Sequence, residues 1–312
     1  MSTSQPRARL FSGQGAQKVG MGADLFDRSP SARALYELAD NLLGWPLGEY
    51  SFRGPVETLT ETRVCQPALY VHGLAILAAF QDLTGRPLRF EAAAGLSLGE
   101  YTAHAAAGSF TFQTGLELVK ERGRLMQESC NATAGTMITL IGATPEQARG
   151  IADRCGVDVA NLNCPGQIVL SGGLKEMEGV AAAAQEKGVR RVIPLKVAGA
   201  YHSRLMAGAA TGLAHYLTRA EISAPKVPVV ANFTADITDG ADQILRALEA
   251  QVCGSVRWEE SVRRLIGLGF TDFVECGPGG VIAGMVRRID PAARCLSLES
   301  YDDLVKHADA LN

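Results

Sequence analysis

The chain has 312 residues, 47% of them hydrophobic and 20% charged, which is enough apolar material for a large core and enough length for two lobes. A formal net charge of −3 and a sequence pI near 6.0 provide no broad basic field, which argues against nucleic acid as the main partner. The arginines within Met1 to Leu10 are not followed by an apolar h-region, and the apolar stretch from Ala68 to Phe80, interrupted by His72, is too short to span a bilayer. A cytoplasmic protein with no membrane partner is expected. Seven cysteines, at 65, 130, 155, 164, 253, 276 and 295, form no CxxC pair. They suit small buried hydrophobes in a reducing compartment better than a disulfide or zinc framework, so no metal site is expected.

Short apolar runs alternate with helical patterns, the signature of an α/β protein with a largely parallel sheet. Ala8 to Phe11 is the first strand candidate, and Gly13-Gln14-Gly15-Ala16-Gln17 follows it. This turn has neither the Lys-Ser/Thr of a P-loop nor dinucleotide spacing. Its Gln14 backbone N–H is a candidate oxyanion donor, and a plain strand-to-helix turn explains the same residues. Glu91 to Gly95 is the next strand. It runs into Gly95-Leu96-Ser97-Leu98-Gly99-Glu100, whose Gly-x-Ser-x-Gly spacing lets a serine sit exposed on a sharp strand-to-helix turn. Ser97 is the candidate nucleophile and the Leu98 N–H the second oxyanion donor, although an ordinary tight turn has the same spacing.

The helix read from Gly115 to Ser129 places Leu118, Val119, Leu125 and Met126 on one face, with Arg122 three or four residues from each. A guanidinium on a buried face needs an anion. It could be an internal Asp or Glu, a snorkelling route to solvent could replace it, or a substrate carboxylate could be captured by both guanidinium nitrogens. From Thr136 the order is strand to Ile141, helix Pro145 to Arg154, strand Val157 to Asn161, strand Gln167 to Ser171, helix Lys175 to Lys187, strand Arg191 to Lys196, with Cys164-Pro165-Gly166 turning the middle hairpin. This βαββαβ order is the ferredoxin-like pattern. It predicts an inserted unit over 131–198 within a larger α/β domain made of 1–130 and 199–312.

Of the five histidines, His72, His104, His215 and His307 fall in helical patterns, where structural or solvated roles are expected. His202 differs. It follows Val197-Ala198-Gly199-Ala200-Tyr201 where the inserted unit returns to the main one, so it either faces a cleft containing Ser97 and accepts its proton or is structural there. Val227 to Ala231 and Phe273 to Glu275 are the remaining strand candidates.

Taken together, these pieces resemble the malonyl-CoA:acyl-carrier-protein transacylase family. The resemblance runs nearly end to end through Gly13-Gln14-Gly15-Ala16-Gln17, Gln66-Pro67-Ala68-Leu69, Gly95-Leu96-Ser97-Leu98-Gly99-Glu100-Tyr101, Arg122-Gly123-x-x-Met126-Gln127, Asn163-x-Pro165-Gly166-Gln167, Gly199-Ala200-Tyr201-His202-Ser203 and Glu275-x-Gly277-Pro278-Gly279. It implies an α/β-hydrolase-like core with an inserted ferredoxin-like subdomain, and transfer of malonyl from coenzyme A to the phosphopantetheine thiol of acyl carrier protein in fatty-acid or polyketide synthesis. By the same resemblance Ser97 is the nucleophile, His202 the base, Arg122 the ligand of the malonyl carboxylate, and Gln14 and Leu98 the oxyanion-hole donors. Gln251 falls where the family orients the histidine with a backbone carbonyl, its side chain being secondary. No cofactor is implied beyond the coenzyme A thioester substrate. Two residues depart from the family pattern: Leu96 stands where many members have histidine, and Tyr201 where phenylalanine is common. Arg190, Arg191 and Arg204, flanking the segment that leads to His202, are candidates for docking an acidic carrier, or else ordinary solvated charges. A serine esterase or thioesterase on the same core, with water as acceptor, is the rival enzyme, and a non-catalytic carrier-binding scaffold is the rival outside catalysis.

Overall fold

In a computed structural model describing residues 6–311, the strands in chain order are β1 (Arg7–Phe11), β2 (Ala92–Gly95), β3 (Gly135–Ile141), β4 (Asp158–Cys164), β5 (Gln167–Gly173), β6 (Arg191–Pro194), β7 (Val229–Val230), β8 (Ile237–Thr238), β9 (Asp272–Cys276) and β10 (Arg294–Leu298). The reading of the first ten residues rests partly on 1–5, which lie outside the described residues. One sheet has the order β10-β9-β1-β2-β7-β8, with every pairing parallel except the terminal β7–β8. Alternation shows why β1 and β2 lie inside it. Ala8 and Leu10 pack into one apolar cluster with Trp258 and Ile282, while Phe11 packs on the opposite face with the helix Thr62–Thr84. A strand buried on both faces is what a parallel sheet covered by helices on each side requires. The three alanines of β2 bring those helices close.

The helix Thr62–Thr84 is longer than the apolar stretch read from the sequence. By length and composition alone it is long and apolar enough to cross a membrane, but most of it is buried inside the protein. It packs against the helices Pro30–Leu43 and Phe112–Ala132. Strand β7 is shorter than its sequence candidate because Pro228, with no N–H, cannot join the ladder and offers only its carbonyl to Ala93.

The second sheet has the order β4-β5-β3-β6 and is antiparallel throughout. Ile138, Leu140, Ile168 and Leu170 bury one of its faces under the helices Pro145–Cys155 and Val180–Glu186. The single helix expected from Lys175 to Lys187 is two, Leu174–Met177 and Val180–Glu186, interrupted around Gly179, a poor helix residue. Strand β4 continues past Asn161 to Cys164 by pairing Leu162 with Ile168 and Cys164 with Gln167 on β5, and its backbone also pairs outside its own sheet. Asn161 bridges to Val256, the Leu162 N–H donates to Val256 O, and the Val256 N–H donates to Ala160 O. This seam fixes the small sheet's remaining face opposite the carboxyl ends of β1 and β2, and the cavity lies between them.

Candidate active site

Ser97 sits between β2 and the helix Gly99–Ala106 at φ 53°, a left-handed conformation that is uncommon for a serine. The flanking glycines are set by contact: a Cβ on Gly95 would lie 1.9 Å from the Gly99 carbonyl carbon, and one on Gly99 2.1 Å from Phe11 O. Asn232 braces the turn from the loop after β7. Its Oδ1 accepts from the Ser97 N–H at 2.6 Å and its Nδ2 donates to Gly95 O at 2.8 Å. The sequence reading missed Asn232. Its one available signal was its place just beyond the carboxyl end of a strand, where α/β sheets build sites.

The Ser97 hydroxyl and His202 Nε2 are 2.8 Å apart, and His202 Nδ1 is 2.8 Å from the Gln251 carbonyl oxygen. A carbonyl only accepts, so the proton belongs on Nδ1 and the Nε2 lone pair faces the serine. Burial first, and then the charge of Arg122, lower the His202 pKa to about 4. The ring is therefore neutral at neutral pH, the state in which it can accept a proton. It reaches this place through its own left-handed conformation, φ 54°, after the turn at Gly199-Ala200-Tyr201.

Arg122 projects from the helix Phe112–Ala132 and is 1% exposed. Its Nη1 donates to Gln66 Oε1 at 2.7 Å, and its Nη2 to Gln251 Oε1 at 2.9 Å and to Ser97 Oγ at 3.0 Å. Its Cζ stands 5.5 Å from the centroid of the Tyr101 ring, and its Nε has no partner. The internal ion pair and the snorkelling route are not what the structure shows. Among the described residues no carboxylate pairs with this guanidinium, and the side chain does not reach solvent. Burial lowers its pKa from the usual arginine value. A cation is thus fixed beside the serine hydroxyl by hydrogen bonds to neutral oxygens, with Glu100 acting on it only through space.

The Gln251 side chain makes contacts of its own. Besides accepting from Arg122, its Nε2 donates to Ser97 O at 2.9 Å and to Glu100 Oε2 at 2.6 Å. Glu100, fully buried and also missed, accepts from the Asn232 N–H at 2.9 Å, and burial pushes its carboxyl up to about 7.

The loop carrying Gln14 presses on the serine turn: a Cβ on Gly13 would lie 2.2 Å from Leu96 O. Among the described residues the backbone N–H groups of Gln14 and Leu98 have no internal acceptor. The Gln14 carboxamide approaches Tyr201 OH at 3.4 Å and Thr62 Oγ1 at 3.5 Å, and those two hydroxyls are 2.5 Å apart. Ser97, Gln14, Tyr201 and His202 open onto a cavity of about 720 Å³. Met137, Thr139, Asn161, Asn163, Gln167 and Val169 supply its wall from the small sheet, and Leu96, Val281, Ile282 and Met285 an apolar wall. The arrangement can activate a hydroxyl, accept its proton, donate two N–H groups to an oxyanion and meet an anion.

The family model described as an acyl transferase domain matches residues 9–289. The malonyl CoA-acyl carrier protein transacylase of Bacillus subtilis (strain 168) is 38% identical over 302 residues, covering 95% of this chain and 94% of that protein. The chain belongs to the malonyl CoA-acyl carrier protein transacylase family. An acyl-carrier-protein-S-malonyltransferase from Bartonella henselae superposes with a TM-score of 0.93 at 33% identity, covering 98% of this chain and 99% of that one. A malonyl-transacylase solved in complex with its type II PKS acyl-carrier protein superposes with a TM-score of 0.92 at 34% identity, covering 98% and 99%. Among solved members of the family, then, at least one holds a carrier protein.

Within that frame the three docking arginines separate. Arg204 is engaged by Asp158, which accepts from its backbone N–H at 2.9 Å and from Nε and Nη2 at 2.7–3.1 Å. Its guanidinium remains largely exposed beside that partner. Arg191 pairs with Ile141 on β3, and Ile141 with Gln167 on β5, so it shares the sheet face that Gln167 presents to the cavity. Arg190 precedes it, and both are exposed without an ion pair among the described residues. Arg288, which the sequence reading did not name, spans the gap: Nη1 donates to Gln167 Oε1 at 2.8 Å and Nη2 to Pro165 O at 2.6 Å.

Proposed function

We propose that this chain transfers malonyl from coenzyme A to the phosphopantetheine thiol of acyl carrier protein through a malonyl ester on Ser97. Ser97 Oγ attacks the thioester carbonyl while its proton passes to His202 Nε2. The oxyanion takes the Gln14 and Leu98 N–H groups, and the coenzyme A thiolate leaves with the proton from His202. The carrier thiol then gives its proton to His202, attacks the ester and returns Ser97 to its hydroxyl form. Gln251 O holds His202 in the required tautomer. Arg122 meets the malonyl carboxylate. The observation that carries this reading is the buried, unpaired guanidinium 3.0 Å from the serine oxygen: a neutral acyl group gives it nothing to bind, and a carboxylate does.

Every proton in this scheme moves between Ser97, His202 and a thiol, so no metal or redox cofactor has a step. Coenzyme A enters as substrate, and neither nucleic acid nor a membrane takes part. Seven free thiols fit a cytoplasmic location. The finer architecture is an α/β-hydrolase-like core over 1–130 and 199–312 with a ferredoxin-like insertion over 131–198. The strand order of the antiparallel sheet and its helices on one face support it.

The test is incubation with radiolabelled malonyl-CoA, with and without holo carrier protein. Label should load the enzyme in the absence of carrier and move to the carrier when it is added. Release of free malonate at the same rate in both cases would favour the thioesterase instead.

A further inference from the structure

Gln251 uses its whole carboxamide. Two N–H groups go to Ser97 O and Glu100 Oε2, and Oε1 receives Arg122. Turned over, the amide would aim N–H at a guanidinium and oxygen at a carboxylate, opposing like partial charges at both ends. Of the two acceptors on the N–H side, Glu100 is the ionisable one and makes the shorter contact, and charge-assisted bonds are the stronger kind. Glu100 starts the helix that follows the serine turn and is fully buried. One oxygen, Oε2, takes both Asn232 N–H and Gln251 Nε2, while Oε1 has no partner. Among the described residues no hydrogen bond or ion pair joins it to Arg122, and the two act on each other only through space. The carboxamide bridges the Glu100 carboxyl and the Arg122 guanidinium.

We propose that Glu100 is a positioning residue for acyl selection: it sets which way round the Gln251 carboxamide stands, and through Gln251 it holds Arg122 open toward an acyl carboxylate. This rests on the reading of Ser97 as the acylated residue and Arg122 as the carboxylate ligand. His202 is served by the Gln251 backbone carbonyl, so the side-chain relay acts on substrate choice rather than on the base.

The experiment measures single-turnover loading of Ser97 by malonyl-CoA and acetyl-CoA, using intact-mass spectrometry, and takes the ratio of the two rates. The ratio cancels losses that fall on both acyl groups, such as a loosened serine turn. Glu100→Met keeps the side chain's length and removes the acceptor; it should lower the malonyl-to-acetyl ratio at least fivefold. Glu100→Gln keeps an oxygen at the Oε2 position and should hold the ratio within about twofold of the parent. In a Gln251→Leu background, Glu100→Met should change the ratio by less than twofold, because the relay is already cut. An unchanged ratio in Glu100→Met, or effects of the two substitutions that multiply, would overturn the proposal. Should Glu100→Met fail to fold, Glu100→Leu, which also lacks an acceptor, takes its place. A fivefold lower ratio with acetyl loading within threefold supports the relay, and an unchanged ratio rejects it. A parent enzyme that never forms a malonyl adduct on Ser97 is a different result and contradicts the acyl-transfer reading itself.

Discussion

A buried guanidinium costs several kcal/mol unless an anion meets it, and at Arg122 the fold supplies two carboxamide oxygens, one hydroxyl and an aromatic face. If the missing anion is the malonyl carboxylate, Arg122→Ala should cost about 3–5 kcal/mol of malonyl binding and leave acetyl-CoA loading little changed. Equal losses for both acyl groups, together with a lower melting temperature, would point to a structural role. The same charge also acts on His202. Burial is the larger cause of its lowered pKa and Arg122 the second, so removing the guanidinium should move the pKa up, toward the ordinary histidine value. In the parent, the acid limb of kcat/KM should lie near pH 4, because the base is lost only as pH falls through the folded pKa. In Arg122→Ala the limb should shift to higher pH, and an acid limb that stays in place would contradict the pairing. Replacing the base itself, His202→Ala, should slow transfer by about two to four orders of magnitude.

At the scale of elements, the serine turn is the part of the site most legible in the sequence. Gly95 and Gly99 are dictated by backbone that passes within van der Waals distance, and spacing records that directly. Gly99→Ala should push Phe11 O and the turn apart, costing about 1–3 kcal/mol of stability and most of the loading rate. Normal stability and full loading in that variant would mean that the turn has room to spare. The element order from β3 to β6 was legible too, because the strands carry their own alternation and the Pro165-Gly166 turn marks the hairpin, but the break between the helices Leu174–Met177 and Val180–Glu186 left no signal that was read. The bracing residues were not. Asn232, Glu100 and the Gln251 side chain come from three separate elements and share no spacing; only the fold brings them together. Arg122 was placed correctly on a buried face, but whether an internal carboxylate would meet it depended on residues 56 and 129 positions away in the chain.

Across the whole molecule, the large sheet presents the carboxyl ends of β1 and β2 to the small sheet, and the cavity needs both. Next to the lining residue Gln167 at its rim stand Arg191, in register with it, and Arg288, bonded to it, both exposed and neither ion-paired among the described residues. Reversing both to Glu should raise KM for carrier at least fivefold more than KM for malonyl-CoA, and equal effects on the two half-reactions would reject this rim as the carrier's landing place. All of this depends on one covalent event at one oxygen. The direct measurement is the intact mass of the protein after brief exposure to malonyl-CoA without carrier, on the parent chain and on Ser97→Ala. The parent should gain one malonyl group and lose it when holo carrier is added, and the variant should gain none. A malonyl adduct that persists on Ser97→Ala, or a parent chain that never acquires one, would contradict the acyl-enzyme at Ser97.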